Sequence, residues 1–343
     1  MPGNNLFLSN ILKYLQAILL VSGILYFGKI LFIPLFFGLL IAIIMHPVCK
    51  WFENHRLNKS LAIFFCLLIV TVVFATLLAL LIWQLRVFSK DAPEIFARLE
   101  LLVQNINLWI TKNFRATIDM KHSWQNDLNV QVANFLKSSV QVTVSTLFML
   151  FLIPVYTTLF MYHRKVFVQY LQLITPAKHQ PALTMILQKA ISTYFHFIKG
   201  MTLVYIIVGI LNSIGLFALG VRNAILFGFL CSVMTIIPYI GIFISALLPI
   251  SVVWLETNNV WYPLGVIAVF SIVQYLEANV IFPKVVGTQL EVSTLAMLVA
   301  VIAGGIIWGV AGMILFIPFL AILKIISDHI KEWKPLNVLL SRR

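Results

Sequence analysis

The feature that most restricts the fold of this chain is an apolar stretch from Ala224 to Leu255, which contains no charged residue. A helix needs roughly 20 apolar residues to cross a bilayer, and this stretch is longer. The composition agrees, because 61% of the 343 residues are hydrophobic and only 10% are charged. Soluble domains carry about 25% charged residues. The chain is therefore predicted to be an all-α polytopic membrane protein.

Apolar runs long enough for a crossing recur along the chain. Those of ordinary length lie at 11–28, 30–48, 61–85, 139–162, 201–219 and 262–282. Two more, at 224–255 and 292–327, are longer. About eight transmembrane segments are therefore predicted.

Both long stretches contain helix breakers near their middle. Pro238 and Gly241 interrupt the first stretch, and Gly304, Gly305, Gly309 and Gly312 interrupt the second. The arms on either side are about 14 to 17 residues long, which is short for a full crossing. Each stretch could be one tilted, kinked span or a re-entrant helical hairpin, and the short arms favour hairpins. The glycines suit close helix packing or a flexible hairpin tip.

A span followed by a broken stretch occurs twice, as 201–219 with 224–255 and as 262–282 with 292–327. Hairpins that enter from opposite sides would make these units an inverted repeat, as in secondary transporters. The transport core is therefore predicted at 201–327. The residues assigned to its hairpins and their packing are Gly304, Gly305, Gly309, Gly312, Pro318, Pro283 and Gly287.

Basic residues set the predicted orientation. Lys50, Arg56 and Lys59 follow the second crossing, and the segment 163–200 contains five Lys or Arg and no acidic residue. The positive-inside rule places both regions in the cytoplasm. Because successive crossings alternate between the two sides, the segment 86–138 is predicted to lie outside and both termini in the cytoplasm.

The predicted organisation has six parts. They are N-terminal spans in 1–85, an extracytoplasmic amphipathic segment in 86–138, a span at 139–162, a basic cytoplasmic amphipathic segment in 163–200, the core in 201–327 and a cytoplasmic tail in 328–343.

Each amphipathic segment contains an apolar stripe at helical spacing. The outer stripe comprises Ile95, Leu99, Leu102, Ile106 and Trp109. It predicts packing on the protein's own outer face or at a subunit interface. The cytoplasmic stripe comprises Leu183, Ile186, Leu187, Ala190, Ile191 and Tyr194. It predicts a helix lying on anionic lipid.

The net charge and the positions of the cysteines indicate which partners and which kinds of site to expect. The net charge of +13 sits on a chain with little soluble mass, which favours anionic lipid over nucleic acid as a partner. Cys49, Cys66 and Cys231 fall in or beside apolar segments without ligand spacing. Neither a disulfide nor a metal site is predicted, and no cofactor is implied.

The motifs IIPYIG (236–241), EANVIFPKVVG (277–287) and AGGIIWGVAGMILFIP (303–318) resemble the signature regions of the autoinducer-2 exporter family, also called PerM-type permeases. The resemblance implies a bacterial inner-membrane exporter of autoinducer-2 or, as for some members, a Na+ or Li+/H+ antiporter, and it implies a homo-oligomer. The chain departs from the family pattern at Thr235, at Ile242 and at 292–294.

Glu277 is the acidic residue that the predicted spans place at membrane depth, where an ionisable group is costly and therefore suggests function. It could take up a proton or a cation, contact the substrate, or pair with Lys284 near the span end. Intramembrane amides could bind a solute or join helices, and a tyrosine near a hairpin tip could bind a solute or anchor the interface. The predicted substrate or ion site comprises Glu277, Asn279, Tyr239, Pro238, Gly241, Asn212 and Lys284, with Gln274 as a further neighbour.

These observations favour a transporter of a small polar solute, with the proton gradient as the predicted driving force. An antiporter exchanging Na+ or Li+ for protons is the alternative, and a channel or structural scaffold is a second one. The histidines are scattered and no catalytic arrangement is visible, so an enzyme is not predicted.

Overall fold

The computed structural model describes residues 12–13, 16, 19–76, 79–80, 82–83, 86, 111, 144–238, 240–257, 259–286 and 291–341. Nearly all of these residues are helical. The helices are α1 (Lys29–Asn54), α2 (Lys59–Thr76), α3 (Val144–Tyr162), α4 (Arg164–Ile174), α5 (Gln180–Ala218), α6 (Ala224–Met234), α7 (Ile240–Thr257), α8 (Trp261–Leu276), α9 (Thr294–Trp308), α10 (Val310–His329) and α11 (Lys334–Leu340). The predicted outer segment 86–138 lies almost wholly outside the described residues.

Five of the described helical stretches are long and apolar enough to cross a membrane. They are α1, α2, Ala177–Ala218, Trp261–Val285 and α10. The prediction of an all-α polytopic membrane protein is thereby confirmed.

The start of the chain differs from the prediction of two separate crossings at 11–28 and 30–48. Residues 19–27 are helical, and Gly28 donates to the carbonyl of Ile24 while its own carbonyl accepts from Leu31 and Phe32. The hydrogen bonds of a helix continue through Gly28, whose φ of −84° and ψ of 14° depart only partly from helical values, so the chain bends here without reversing. Residues 19–54 therefore form one bent helix, and the cytoplasmic N-terminus, which depended on two crossings, stays a prediction.

Helix α5 is the longest helix among the described residues, with 39 residues and a length of about 58 Å. It joins two segments that were predicted separately, the basic stretch up to residue 200 and the span at 201–219. Ile186, Ala190 and Tyr194 are buried in one cluster with Ala321 and Ile325 of α10. The prediction that this stripe lies on lipid is therefore wrong, because α10 covers it.

Helices α6 and α7 form an antiparallel pair, hairpin 1. The Cys231 thiol on α6 donates to the carbonyl of Ser245 on α7 over 3.3 Å. Gly241 lies so close to the other arm that a Cβ atom there would come within 1.8 Å of the Met234 carbonyl oxygen. Pro238 is half-buried at the tip.

Helices α9 and α10 form a second antiparallel pair, hairpin 2, and its tip is the single residue Gly309. Gly309 has φ +62° and ψ −141°, a combination open only to glycine. Gly304 and Gly312 bring the two backbones together, since a Cβ on Gly312 would lie 1.9 Å from the Gly304 carbonyl oxygen. Gly305 packs similarly against Met313. Both broken stretches are thus hairpins, as favoured from the sequence.

The hairpins approach α5 from opposite ends. On α6, Gly228 lies against Ser213 and Ser232 lies near Gly209, so hairpin 1 descends from the C-terminal end of α5. On α10, buried Pro318 accepts a hydrogen bond from the Tyr194 hydroxyl, and at the other end Glu332 pairs with Lys178. Hairpin 2 therefore rises from the N-terminal end of α5. When the registers of α6 and α10 against α5 are extended, the tips of both hairpins fall at one level along α5, near Leu203.

The two hairpins differ in their packing partners. Hairpin 1 packs against α5 and α8, where Leu216, Phe227, Val253, Val266 and Phe270 form a cluster called here the outer plug. Hairpin 2 packs against α1 and the first half of α5, and at its tip Trp308 donates to the Leu25 carbonyl. The inverted order of elements is therefore not accompanied by equivalent packing.

Candidate functional site

Three buried side-chain oxygens near the tips have no hydrogen-bond partner. They belong to Asn212 on α5, to Gln274 on α8 and to Glu277, which directly follows α8. Asn212 is 3% exposed and Glu277 is 9% exposed. A buried polar atom without a partner is costly, so such atoms mark strained or functional positions. These three residues are called the polar seam.

The register between α5 and α8 puts the members of the seam at neighbouring levels. A Cβ on Gly215 would lie 2.3 Å from Val269, and a Cβ on Gly200 would lie 3.3 Å from Val286. The two helices therefore run antiparallel in close contact, and Glu277 lies level with Val208. Asn212 is one turn away from that level on α5.

The sides of the seam follow from helical spacing. Gln274 and Glu277 are three residues apart and share one face of their helix. On α5, Asn212 and Leu216 share a face, and Tyr205 lies on that face two turns before Asn212. Tyr205 is within electrostatic range of Glu277. Glu277 thus lies at a level between Tyr205 and Asn212.

The backbone at Glu277 is unusual. Residues Glu277–Ile281 form a π-helical turn between α8 and Phe282–Val285, so that one rod continues from Trp261 to Val285. Pro283 lacks a backbone N–H and cannot bond the carbonyl four residues earlier, and the wider π-helical turn just before it accommodates this missing hydrogen bond. Single π-helical turns are frequent at functional sites.

The seam is closed on one side by the outer plug. Leu216 of the plug follows Asn212 by one turn, and Phe270 precedes Gln274 by one turn. On the other side lies the tip of hairpin 1. There the Thr235 hydroxyl donates to the Ser232 carbonyl over 2.6 Å. The residue that departs from the family pattern at this position therefore has its hydroxyl hydrogen-bonded within the hairpin.

Only part of the predicted site lies in one region of the structure. By register, Glu277 and Asn212 lie about one helical turn apart in level, and Gln274, expected only as a neighbour, lies between those levels. None of their three unpartnered oxygens bonds another. Asn279 is exposed, and its amide donates to the carbonyl of Tyr275 on its own helix over 2.9 Å. Lys284 is exposed, and no ion pair between it and Glu277 exists.

The remaining predicted residues lie at the hairpins or outside the described part. Pro238 and Gly241 shape the tip of hairpin 1. Tyr239 and Gly287 lie outside the described residues. Tyr205 is a residue that the sequence interpretation missed; its spacing of seven from Asn212 was an available signal.

The chemistry of the seam follows from its atoms. All three unpartnered atoms are oxygens that accept hydrogen bonds or bind cations. A ligand there must supply positive charge or hydroxyl and N–H donors. Among the described residues, no group of three or more His, Cys, Asp or Glu side chains could hold a metal ion. The seam thus differs from a conventional metal centre and suits a weakly held ion or a hydroxylated solute.

Comparisons with known proteins point to one family. A model of the AI-2E transporter family matches residues 15–332. The AI-2 transport protein TqsA of Escherichia coli K12 is 26% identical over 336 residues, which cover 95% of this chain and 93% of TqsA. YrrI of Bacillus subtilis, named as a candidate transport protein, is 24% identical over 319 residues, which cover 88% of this chain and 87% of YrrI. The chain belongs to the AI-2E transporter family.

Proposed function

We propose that this multi-pass membrane transporter exports a small polar solute through the polar seam, driven by the proton gradient. The observation that carries the proposal is the set of unpartnered oxygens of Asn212, Gln274 and Glu277, buried beside a hairpin tip at membrane depth. A protein that only supported other membrane components would have no need for three unsatisfied acceptors there.

Autoinducer-2 is the first solute to test. The name of TqsA refers to AI-2, and the chain matches TqsA over nearly its full length. A solute with several hydroxyl groups could donate to all three seam oxygens. Glu277 would bind a proton in one half of the cycle and a solute hydroxyl in the other.

Access to the seam would alternate between its two closures. On one side, separation of the outer plug would open the seam. On the other, displacement of the tip of hairpin 1, formed by Thr235 to Gly241, would expose it. Alternating access of this kind is common to transporters built from broken helices.

Exchange of Na+ or Li+ for protons is the second candidate, favoured because the three buried atoms without a partner at the seam are all oxygens. Oxygen atoms are the preferred ligands of hard cations. A carboxylate that binds either a cation or a proton, but not both together, would couple the two fluxes.

The experiment is flux into proteoliposomes under an imposed pH gradient, with autoinducer-2 and Na+ tested side by side. Glu277→Gln keeps the shape of the side chain but removes its charge. We expect it to lower flux at least about tenfold, because coupling needs an ionisable group. Glu256→Gln is the matched control, since Glu256 is an exposed acid at the end of α7.

Each result selects one reading. Autoinducer-2 flux that depends on Glu277 supports the exporter, and Na+ flux that depends on Glu277 supports the antiporter. Equal flux in the wild type and Glu277→Gln would remove Glu277 from the coupling step. A flux that rises linearly without saturation would favour a channel.

Lipid contact is proposed for α4 in place of the stripe on α5. None of the α4 residues is buried, and those with exposed apolar side chains include Val166, Phe167, Tyr170, Leu173 and Ile174. Lys165 at its start is exposed and suits anionic headgroups, whereas Arg164 pairs with Glu53. Localisation in a bacterial inner membrane, a cytoplasmic C-terminus and homo-oligomerisation are proposed with it, on the family resemblance and the charge pattern.

A further inference from the structure

The C-terminal segment 331–341 crosses the open end of hairpin 2. Val292, two residues before α9, forms an antiparallel bridge with Ser341. The Ser293 backbone N–H donates to the Leu340 carbonyl over 2.7 Å, and the Ser293 hydroxyl donates to the Leu339 carbonyl over 3.0 Å. These contacts tie the segment to the first arm.

The same segment binds the second arm through Asn337. Its amide group donates to the Asp328 carboxylate and, over 3.3 Å, to the Ser327 hydroxyl. Asp328 also pairs with the buried Lys324. The Ser341 hydroxyl donates to the Asn337 side-chain oxygen over 3.0 Å, which fixes the orientation of the amide.

An apolar contact lies between these polar ties. Leu340 is 3% exposed and forms a cluster with Val292 and Ala296 at the start of α9. Leu320 and Leu323 of α10 pack against the same cluster. Helix α11 therefore bridges both arms with its apolar side as well as with hydrogen bonds.

A third anchor joins the segment to α5. Glu332 pairs with Lys178 over 2.8 Å and lies 3.9 Å from His179. The side chains of Lys178 and Glu332 are 74% and 51% exposed, so this contact contributes little stability by itself. Its position just before α5 nevertheless links the open end of hairpin 2 to the longest helix.

Hairpin 2 is thus held at three levels. Its open end is crossed by α11, its middle is bonded through Pro318 to Tyr194, and its tip is bonded through Trp308 to Leu25. In the part of the chain that the structure describes, no segment crosses the open end of hairpin 1 in this way.

We propose that α11 is a strap that clamps the open end of hairpin 2, so that hairpin 2 stays fixed while hairpin 1 moves. The clamp is independent of the transported solute. The division of labour between the hairpins rests on the proposed function.

The test locks the strap in the full-length protein. An antiparallel pair has Cα atoms about 4.5–5.5 Å apart, within the range for a disulfide. Val292→Cys with Ser341→Cys can therefore be oxidised by copper phenanthroline, which removes two electrons and two protons from the thiols. Peptide mapping identifies the bond, and oxidised wild type is the control for the native cysteines.

We expect nearly complete cross-linking and autoinducer-2 or Na+ flux within about twofold of the reduced protein. A flux that falls about tenfold on oxidation and returns on reduction would overturn the proposal, because the strap would then have to release. Failure to cross-link would overturn it as well. If the reduced protein carries neither solute, the proposed function fails, while cross-linking and amide exchange still report on the strap.

A second pair of variants tests the clamp without cross-linking. Asn337→Ala removes the tie to Asp328, and Val338→Ala is the control, since Val338 is 52% exposed on the same helix. We expect amide exchange at 294–300 to rise about tenfold in Asn337→Ala and less than about twofold in the control. Equal exchange in the two variants would show that α11 does not restrain hairpin 2.

Discussion

The two hairpins both arise from a broken apolar stretch, but they differ in their turns and in the residues around them. Hairpin 1 has unequal arms of 11 and 18 residues and turns through several residues around Pro238. Hairpin 2 has arms of 15 and 20 residues and turns at Gly309 alone. The first adjoins unsatisfied polar atoms, and the second is closed by glycine contacts and a strap. Breakers alone therefore do not distinguish the two hairpins; the residues that pack against each hairpin do.

The largest effect is expected at the glycine contact of hairpin 2. Gly312→Ala would place a methyl group 1.9 Å from the Gly304 carbonyl oxygen, so the arms must separate. We expect a loss of about 3 kcal/mol, measured as thermal unfolding in detergent. Gly23→Ala is the same substitution with no atom within 4 Å of the new methyl, and it should leave stability equal or higher. Equal melting of both variants would contradict rigid packing in hairpin 2.

The next effect tests the seam beside hairpin 1. Asn212→Leu removes a buried oxygen that has no partner, so stability should be unchanged or higher while flux falls about tenfold. Asn279→Leu is the control, because that amide is exposed and bonded within its own helix; its flux should stay within about twofold. If Asn212→Leu instead lowers the melting temperature and spares flux, Asn212 joins helices and binds no solute.

A smaller effect is expected in the middle of hairpin 2. Tyr194→Phe removes the hydroxyl that donates to the Pro318 carbonyl, while the ring stays buried. The expected loss of stability is about 1 kcal/mol, measured by thermal unfolding. Tyr262→Phe, at an exposed position at the start of α8, should melt like the wild type. Identical melting of the two variants would mean that this bond does not fasten hairpin 2.

The smallest effect concerns the ion pair between Glu332, just before the strap, and Lys178. The hydrogen bond from Lys178 lowers the pKa of Glu332 below its ordinary 4.5. A carboxyl with a lowered pKa stabilises the folded state above its unfolded pKa, and that contribution is lost as the pH falls through the folded value. Glu332→Gln should therefore loosen the strap slightly at neutral pH and match the wild type at pH values well below 4.5. Amide exchange at 331–341 measures this, and a difference that persists in acid would assign the effect to another cause.

Several features could be predicted from the sequence because they follow from local chemistry. Glu277 stood out because an acid within an apolar span is rare and costly. Both hairpins followed from breakers that left arms too short for a crossing. Gln274 lies three residues before Glu277 on the same helical face, whereas Asn279, two residues after it, points elsewhere; helical spacing alone would have preferred the former.

Other features depended on contacts between distant segments. The apolar stripe on the first half of α5 has the spacing of a lipid-facing helix, and only the position of α10 shows that Ile186 and Tyr194 face protein. The contacts of α11 with both arms of hairpin 2 join residues that are tens of positions apart.

The helical membrane architecture and the acid at membrane depth could be predicted from the sequence, and its breakers favoured two hairpins, because hydropathy, backbone breakers and charge act within a single segment. The packing of distant segments was needed to show which polar atoms are buried at the seam, that α10 covers the stripe on α5, and which hairpin α11 crosses. Those outcomes depend on the register between helices, and a displacement of one turn in that register would bring together different residues.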